Sequence, residues 1–293
     1  MEKIWSDLPD GLRSPIRVVG ARQRGATPPP VPAPVLVVIP GMGVPAAYYE
    51  LFAQATAGRG YNVAICELRG QGDCADVGGT YGYHTIASVD LPAMIGAVAQ
   101  RFPGSDRYLL GHSIGGQLAA LTAAAWAEVS GLILVASGTN YYRCYGRAMS
   151  AWLLLGSALL PSRSSLVAAD RRIGTALGLF DGHPKQMHSD WSQLVRSGRF
   201  ELKGADVDYE ARIGALEVPV LAVHIAGDEL APRASAEHFV EKFQSAAAQV
   251  WMEPRRVGHN GWILDGRSVL DRIEDWLQEV RAANAARSIT QGR

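Results

Sequence analysis

Tyr108-Leu109-Leu110-Gly111-His112-Ser113-Ile114-Gly115-Gly116-Gln117 is the stretch on which the reading of the chain turns. Its first three residues have the apolar character of a buried strand, and Gln117 to Trp126 have that of a helix leading away. A G-x-S-x-G string alone is a weak signal. At a strand-to-helix junction, however, its small residues permit the sharp turn that lifts a serine hydroxyl out of the backbone. Ser113 is therefore the candidate nucleophile. A plain glycine-rich turn whose serine only caps the helix is the competing reading, and it loses ground once the flanking strand and helix are counted. A phosphate-cradling loop fits worse: no G-x-x-x-x-G-K-[ST] occurs, and no G-x-G-x-x-G opens a helix after the first strand.

Working outward, Val35-Leu36-Val37-Val38-Ile39, Val63-Ala64-Ile65-Cys66, Leu132-Ile133-Leu134-Val135 and Val220-Leu221-Ala222-Val223 are short runs apolar on both faces, like Tyr108-Leu109-Leu110. Runs of this kind separated by helices predict a parallel sheet covered on both sides, hence a doubly wound α/β architecture. The helices are expected at Ala46 to Ala57, Thr85 to Arg101, Gln117 to Trp126, Ser235 to Phe243 and Ser268 to Ala283. Ile16 to Arg22 reads as an earlier strand, and the proline-rich 26–34 as a connector into the next. Residues from Asn284 onward read as frayed. Between Ser137 and Val218 some eighty residues break the rhythm of strand and helix. The expectation is a core of residues 1–138 and 218–293, with 139–217 inserted as a helical cap. Its apolar pieces, Ala148 to Leu160 and Met187 to Phe200, would lie over the strand ends and line a substrate pocket. Tyr141, Met149 and Trp191 are the candidate substrate contacts there.

Composition bounds the partners. The chain has 293 residues, 48% of them hydrophobic, with 28 basic and 28 acidic side chains in balance. A balanced charge gives no electrostatic footprint for nucleic acid or an anionic membrane, so a small molecule is the expected partner. Cys66, Cys74 and Cys144 are too few and too scattered for a disulfide framework or a zinc site, and no metal or cofactor is expected. No signal-like start or uninterrupted apolar run of about 18 residues is present, which reads as cytoplasmic. Oligomeric state is left open.

A serine hydroxyl is a poor nucleophile at neutral pH; it needs a hydrogen-bonded base, which in turn needs an orienting acid. Asp228, in Ala226-Gly227-Asp228-Glu229, follows the strand at Val220; His259, in Val257-Gly258-His259-Asn260-Gly261, follows an expected strand at Gln249 to Val257. Both fall just past a strand's carboxyl end, the rim where open α/β sheets place ligands. Glu229 is the rival acid; the glycine before Asp228 favours the latter. Of the other histidines, His112 is expected to point away from Ser113, His84 and His224 lack a matching acid downstream, and His183, His188 and His238 fall in the cap or on a helix. Two backbone N–H groups are needed for the oxyanion, the loss of one costing about 3 to 4 kcal/mol in the barrier. Ile114, next to the nucleophile, and Met42, in Pro40-Gly41-Met42-Gly43 after the strand at Val35, are the candidates.

On these motifs the chain resembles an α/β-hydrolase of the serine hydrolase type over nearly its whole length. Glu67-Leu68-Arg69-Gly70-Gln71-Gly72 is similar to the R-G-x-G segment of esterases and monoacylglycerol lipases. Met42-Gly43-Val44-Pro45 with Tyr48-Tyr49, Asp90-Leu91-Pro92 and Trp191 to Phe200 resemble a little-characterised bacterial branch of that superfamily. The resemblance implies an α/β-hydrolase fold, mostly parallel, with helices on both faces and a helical cap after the sixth strand. It further implies a Ser113-Asp228-His259 triad and hydrolysis of an ester or thioester, as in carboxylesterases, lipases and thioesterases. The chain departs from many relatives in carrying Pro40 where they have a histidine, and Cys74 where a serine is frequent. Arg69 is expected to hold a turn, and Cys74 to be a small buried residue. An acyltransferase or cyclising thioesterase would use the same triad, and a non-catalytic ligand-binding protein could retain the same fold. A dehalogenase would need a carboxylate where Ser113 stands.

Overall fold

The structure is a computed structural model that describes residues 1–22, 32–75, 79–126, 128–159 and 184–291. His183 and most of the proline-rich connector lie outside the described residues. Eight strands form one sheet: β1 (Glu2–Asp7), β2 (Arg13–Val19), β3 (Val35–Ile39), β4 (Asn62–Cys66), β5 (Arg107–His112), β6 (Gly131–Val135), β7 (Val220–Ile225) and β8 (Ala248–Glu253). Their order is β1-β2-β4-β3-β5-β6-β7-β8; β1 and β2 run antiparallel to their neighbours and the rest are parallel.

All five residues of β3 are buried, because both faces of the sheet are covered. Side-chain alternation divides them. Leu36 and Val38 face a cluster built with Phe52 of α1 (Glu50–Ala57) and with Ile273 and Trp276 of the C-terminal helix. Val35, Val37 and Ile39 face the other cluster, with Ile95 of α2 (Leu91–Arg101) and Leu118 of α3 (Ile114–Ala125). Strand β3 has β4 on one side and β5 on the other, so successive connections leave in opposite directions. The crevice opened at their carboxyl ends is where α/β sheets bind ligands. The turn after β3 and the Ser113 turn after β5 meet there.

Between β6 and β7 the chain forms α4 (Arg147–Leu159), α5 (Lys185–Ser197) and α6 (Tyr209–Gly214). Trp191, Leu194 and Val195 of α5, followed by Phe200, Tyr209 and Ile213, join the same apolar cluster as α3. After β7 come α7 (Arg233–Val240), β8 and α8 (Arg267–Gln291).

Several expected boundaries shift. An edge hairpin precedes the anticipated first strand: β1 pairs with β2, and β2 begins at Arg13 rather than Ile16 and ends at Val19 rather than Arg22. The exposed edge strand Glu2–Asp7 has little apolar alternation to announce it. Strand β8 stops at Glu253, where Pro254 follows. Helix α8 does not fray at Asn284 but continues to Gln291, through an alanine-rich stretch of high helix propensity. The expected helix at Thr85 begins two residues earlier at Tyr83 and widens to a π-turn over Ile86–Asp90 before α2.

Candidate active site

Ser113 sits between β5 and α3 with φ 55° and ψ −122°, a conformation that non-glycine residues adopt at a cost of about 1 to 3 kcal/mol. Three hydrogen bonds hold it there. Its N–H donates to the Val135 carbonyl at 3.0 Å, its carbonyl accepts from Ser137 Oγ at 2.7 Å, and Gly116 N–H also donates to that carbonyl at 3.0 Å. The elbow's glycines are explained by close approach. A Cβ on Gly115 would run into the Ile39 carbonyl, and one on Gly111 into the Gly115 backbone.

Asp228 and His259 arrive from two neighbouring strand ends. Gly227, at φ 71°, turns the chain out of β7, and Gly258, at φ 76°, turns it into the His259 loop. Asp228 Oδ2 lies 2.7 Å from His259 Nδ1. Its Oδ1 accepts from the amides of Leu230 at 2.9 Å and Ala231 at 3.2 Å. Burial, the largest influence, pushes this carboxyl's pKa up, but the bond to His259 and the two amides outweigh it and hold it below the ordinary aspartate value. The rival Glu229 is exposed at the cavity wall and makes no hydrogen bond to His259 among the described residues. Ser113 and His259 line the same cavity, without a direct hydrogen bond between them in this structure.

Around the expected oxyanion position, the turn after β3 is gripped from two sides. Gly41 N–H donates to Tyr49 Oη at 2.9 Å, and Gly43 N–H donates to Gln71 Oε1 at 3.0 Å. Gln71 Nε2 reaches back to the carbonyls of Gly41 at 3.3 Å and Val44 at 3.2 Å. The amide between them, that of Met42, has no acceptor among the described residues, and the same is true of Ile114. Both Met42 and Ser113 line the cavity.

The cavity has a volume of about 410 Å³, in the range of small-molecule sites. Its far wall is apolar: Met149, Trp152 and Leu153 from α4, Trp191 from α5 and Leu230 after β7. Of the three expected substrate contacts, Met149 and Trp191 line it. Tyr141 does not. Its ring packs on His238 at 5.2 Å, and Tyr145, four residues on, lines the cavity in its place with Oη donating to the Leu230 carbonyl at 2.9 Å. Beside Tyr141, Asn140 at φ 55° lines the cavity, so the chain turns sharply there.

The remaining histidines fall as follows. His84 Nδ1 meets Tyr209 Oη at 2.8 Å, and His238 Nδ1 meets Thr139 Oγ1 at 2.8 Å; His224 and His188 are buried. His112 has a place the sequence did not announce: it lines the cavity, its ring 5.1 Å from that of His259. Burial and the nearby His259 depress its pKa to about 3, so it is neutral. Arg69 binds Asp90 through Nε at 2.8 Å and Nη2 at 2.7 Å, and Asp10 through Nη1 at 2.5 Å, tying the loop after β4 to the start of α2 and to the β1–β2 turn. Cys74 is buried, 3.7 Å from Ser14 Oγ.

A serine on a strained elbow, an acid–imidazole pair and a switch-point crevice in a mostly parallel sheet define an α/β-hydrolase. Residues 30–254 match the family described as serine aminopeptidase, S33, and the chain belongs to that family of hydrolases. No curated protein sequence matches the chain. Among solved structures it is similar to an esterase of Exiguobacterium antarcticum (17% identity, TM-score 0.61, covering 94% of this chain and 100% of that one). It is similar also to a thermophilic esterase of Thermogutta terrifontis (18%, 0.61, 96% and 99%) and to a bacterial membrane phospholipase A (19%, 0.63, 96% and 86%). At these identities the likeness is one of fold. No helix among the described residues is long and apolar enough to cross a membrane.

Proposed function

We propose that the protein is a serine hydrolase that cleaves a carboxylic ester or thioester of a hydrophobic small molecule through an acyl-enzyme on Ser113. The observation that carries this reading is the Asp228–His259 pair, 2.7 Å apart and opening on the cavity that also holds Ser113. With Nδ1–H fixed by the carboxylate, His259 Nε2 is the free lone pair that takes the Ser113 proton as Oγ attacks the acyl carbonyl. The amides of Met42 and Ile114 receive the oxyanion. Collapse expels the alcohol or thiol, which takes its proton from His259; a water deprotonated by the same nitrogen then releases the acid and restores Ser113. The missing Ser113–His259 hydrogen bond is one that tightens as substrate fills the cavity, a common difference between empty and occupied sites. The apolar wall formed by Met149, Trp152 and Trp191 supports a hydrophobic acyl group.

The test is intact mass after fluorophosphonate treatment, followed by turnover of an ester, thioester and aminoacyl arylamide panel. One adduct on the wild type, absent from Ser113→Ala and His259→Ala, is the expected result. A well-folded wild type that stays unlabelled and turns nothing over defeats the reading. Arylamide turnover exceeding ester turnover would move the substrate to a peptide bond, and acylated products on adding an alcohol would move the reaction to acyl transfer.

A further inference from the structure

His112 and Tyr49 are fully buried polar side chains beside the site, and no step above uses them. They form a continuous chain. Gly41 N–H donates to Tyr49 Oη at 2.9 Å; Tyr49 Oη lies 2.7 Å from His112 Nδ1; His112 Nε2 lies 3.1 Å from the carbonyl oxygen of His259. The chain therefore begins at the turn that carries the Met42 amide and ends on the backbone of the general base. Its polarity follows from what each group can do. A carbonyl only accepts, so His112 Nε2 carries the hydrogen. In a neutral ring Nδ1 is then the acceptor and takes the Tyr49 hydroxyl proton. That leaves the phenol oxygen's lone pairs for Gly41 N–H. One tautomer satisfies all three bonds.

The packing leaves the chain no slack. Trp262 lies edge-on to both rings, 6.4 Å from Tyr49 and 5.4 Å from His112 between centroids. A Cβ on Gly41 would stand 2.9 Å from His112 Nδ1, so only glycine lets the turn lie this close to the ring. We infer that Tyr49 and His112 are positioning residues that hold the Gly41–Met42 turn and the His259 loop in fixed register about Ser113. The inference rests on the serine-hydrolase reading. Under it the turn and the base must be aligned at the same moment, since the oxyanion forms as the proton leaves Ser113. Misalignment by a fraction of an ångström is costly in such a site.

Tyr49→Phe tests it, because it keeps the ring and deletes the hydroxyl. The expected result is a kcat about 10- to 100-fold lower with KM within about twofold, and a thermal midpoint lowered by no more than about 5 °C, the cost of the two buried groups left unpaired. His112→Gln should behave alike, and the double variant should fall no further than the worse single one, because both break one chain. A folded Tyr49→Phe with kcat within about twofold of wild type overturns the inference, as do losses that multiply in the double variant. The chain is also read without any variant: long-range nitrogen–proton NMR of the wild type should show His112 neutral with its proton on Nε2. A proton on Nδ1 overturns the inference even where the variants fail to fold. An unlabelled, inactive wild type is instead the failure of the hydrolase reading, which removes both.

Discussion

On the elbow side of the cavity, His112, Tyr49, Gln71 and Ser137 are buried, and each is engaged in short directional bonds: to His259, Gly41, Gly43 and Ser113 respectively. On the opposite side, Met149, Trp152 and Leu153 of α4 face Trp191 of α5 across an apolar surface. Hydrogen bonds lose strength steeply with angle, whereas apolar contact is nearly indifferent to it. The first wall is thus built to hold atoms at one geometry and the second to accept a shape. Substitutions on the first should act on kcat and on the tolerance of acid, and substitutions on the second on substrate choice.

The largest effect expected on the elbow side comes from Asp228→Asn. The amide keeps the shape of the side chain but can present N–H to His259 Nδ1, which forces the imidazole proton to Nε2, where the lone pair is needed. A fall of about 10⁴-fold in kcat is expected with little change in stability. Glu229→Gln, one residue away and exposed, should change kcat less than about twofold. Equal losses in the two variants, measured on the same ester, would break the comparison by showing that position in the wall does not set the effect. The wild-type acid limb should follow a single ionisation, since Asp228 and His112 are both depressed and stay in one protonation state through the working range. A second-order limb would mean one of them titrates.

The proposed triad could be read because Ser113 directly follows β5 in a Gly111-to-Gly115 turn, Asp228 and His259 each follow a glycine in the segment after a strand, and strand ends in a parallel sheet all face one rim. The proposed oxyanion donors, Ile114 and Met42, follow from the same logic, one by adjacency and one by the turn after β3. What escaped is what depends on contacts distant along the chain. Tyr49 and His112 are 63 residues apart, and nothing local announces that their side chains meet. Tyr49 and Gln71 stood in motifs that mark a resemblance, but their role of gripping the turn appears only once β3 and β4 lie side by side. Tyr141 and Tyr145 flank the short turn at Tyr142–Cys144, and only the fold shows that Tyr145 is the one lining the cavity. The β1–β2 hairpin had a usable signal in Pro9-Asp10-Gly11, a turn sequence with Gly11 at φ 83°.

A middle-sized effect sharpens the comparison through acid stability. His112 has a folded-state pKa of about 3, below the ordinary histidine value of about 6.5. Its contribution to stability is therefore complete above about pH 6.5 and is lost as pH falls toward 3, because the unfolded chain binds a proton that the buried ring refuses. Between pH 6.5 and 5 the loss is on the order of 2 kcal/mol, or roughly 3 °C in the thermal midpoint. His112→Gln removes that dependence. His224 and His238 are depressed as well, but they remain in both proteins, so the difference isolates His112. Parallel melting curves for the two proteins from pH 7.5 to 5 would show that His112 is open to protonation, and the elbow wall less closed than its bonds imply.

The smallest effect belongs to the apolar wall. Met149 is half-buried at the cavity surface, so Met149→Ala removes contact with a bound acyl chain more than it removes core packing. An unbranched thioether adapts to many shapes, and its loss is worth about 1 kcal/mol when a chain lies against it, or about a fivefold rise in KM. The rise should appear for octanoyl esters and vanish for acetyl esters, whose acyl group ends near Ser113 and does not extend to α4. With kcat unchanged in both series, the variant would move only the specificity ratio, the signature of a wall that binds ground state and transition state alike. A drop in kcat shared by both esters would place Met149 with the directional wall instead, and the line between geometry-holding and shape-accepting residues would then have to be redrawn through α4.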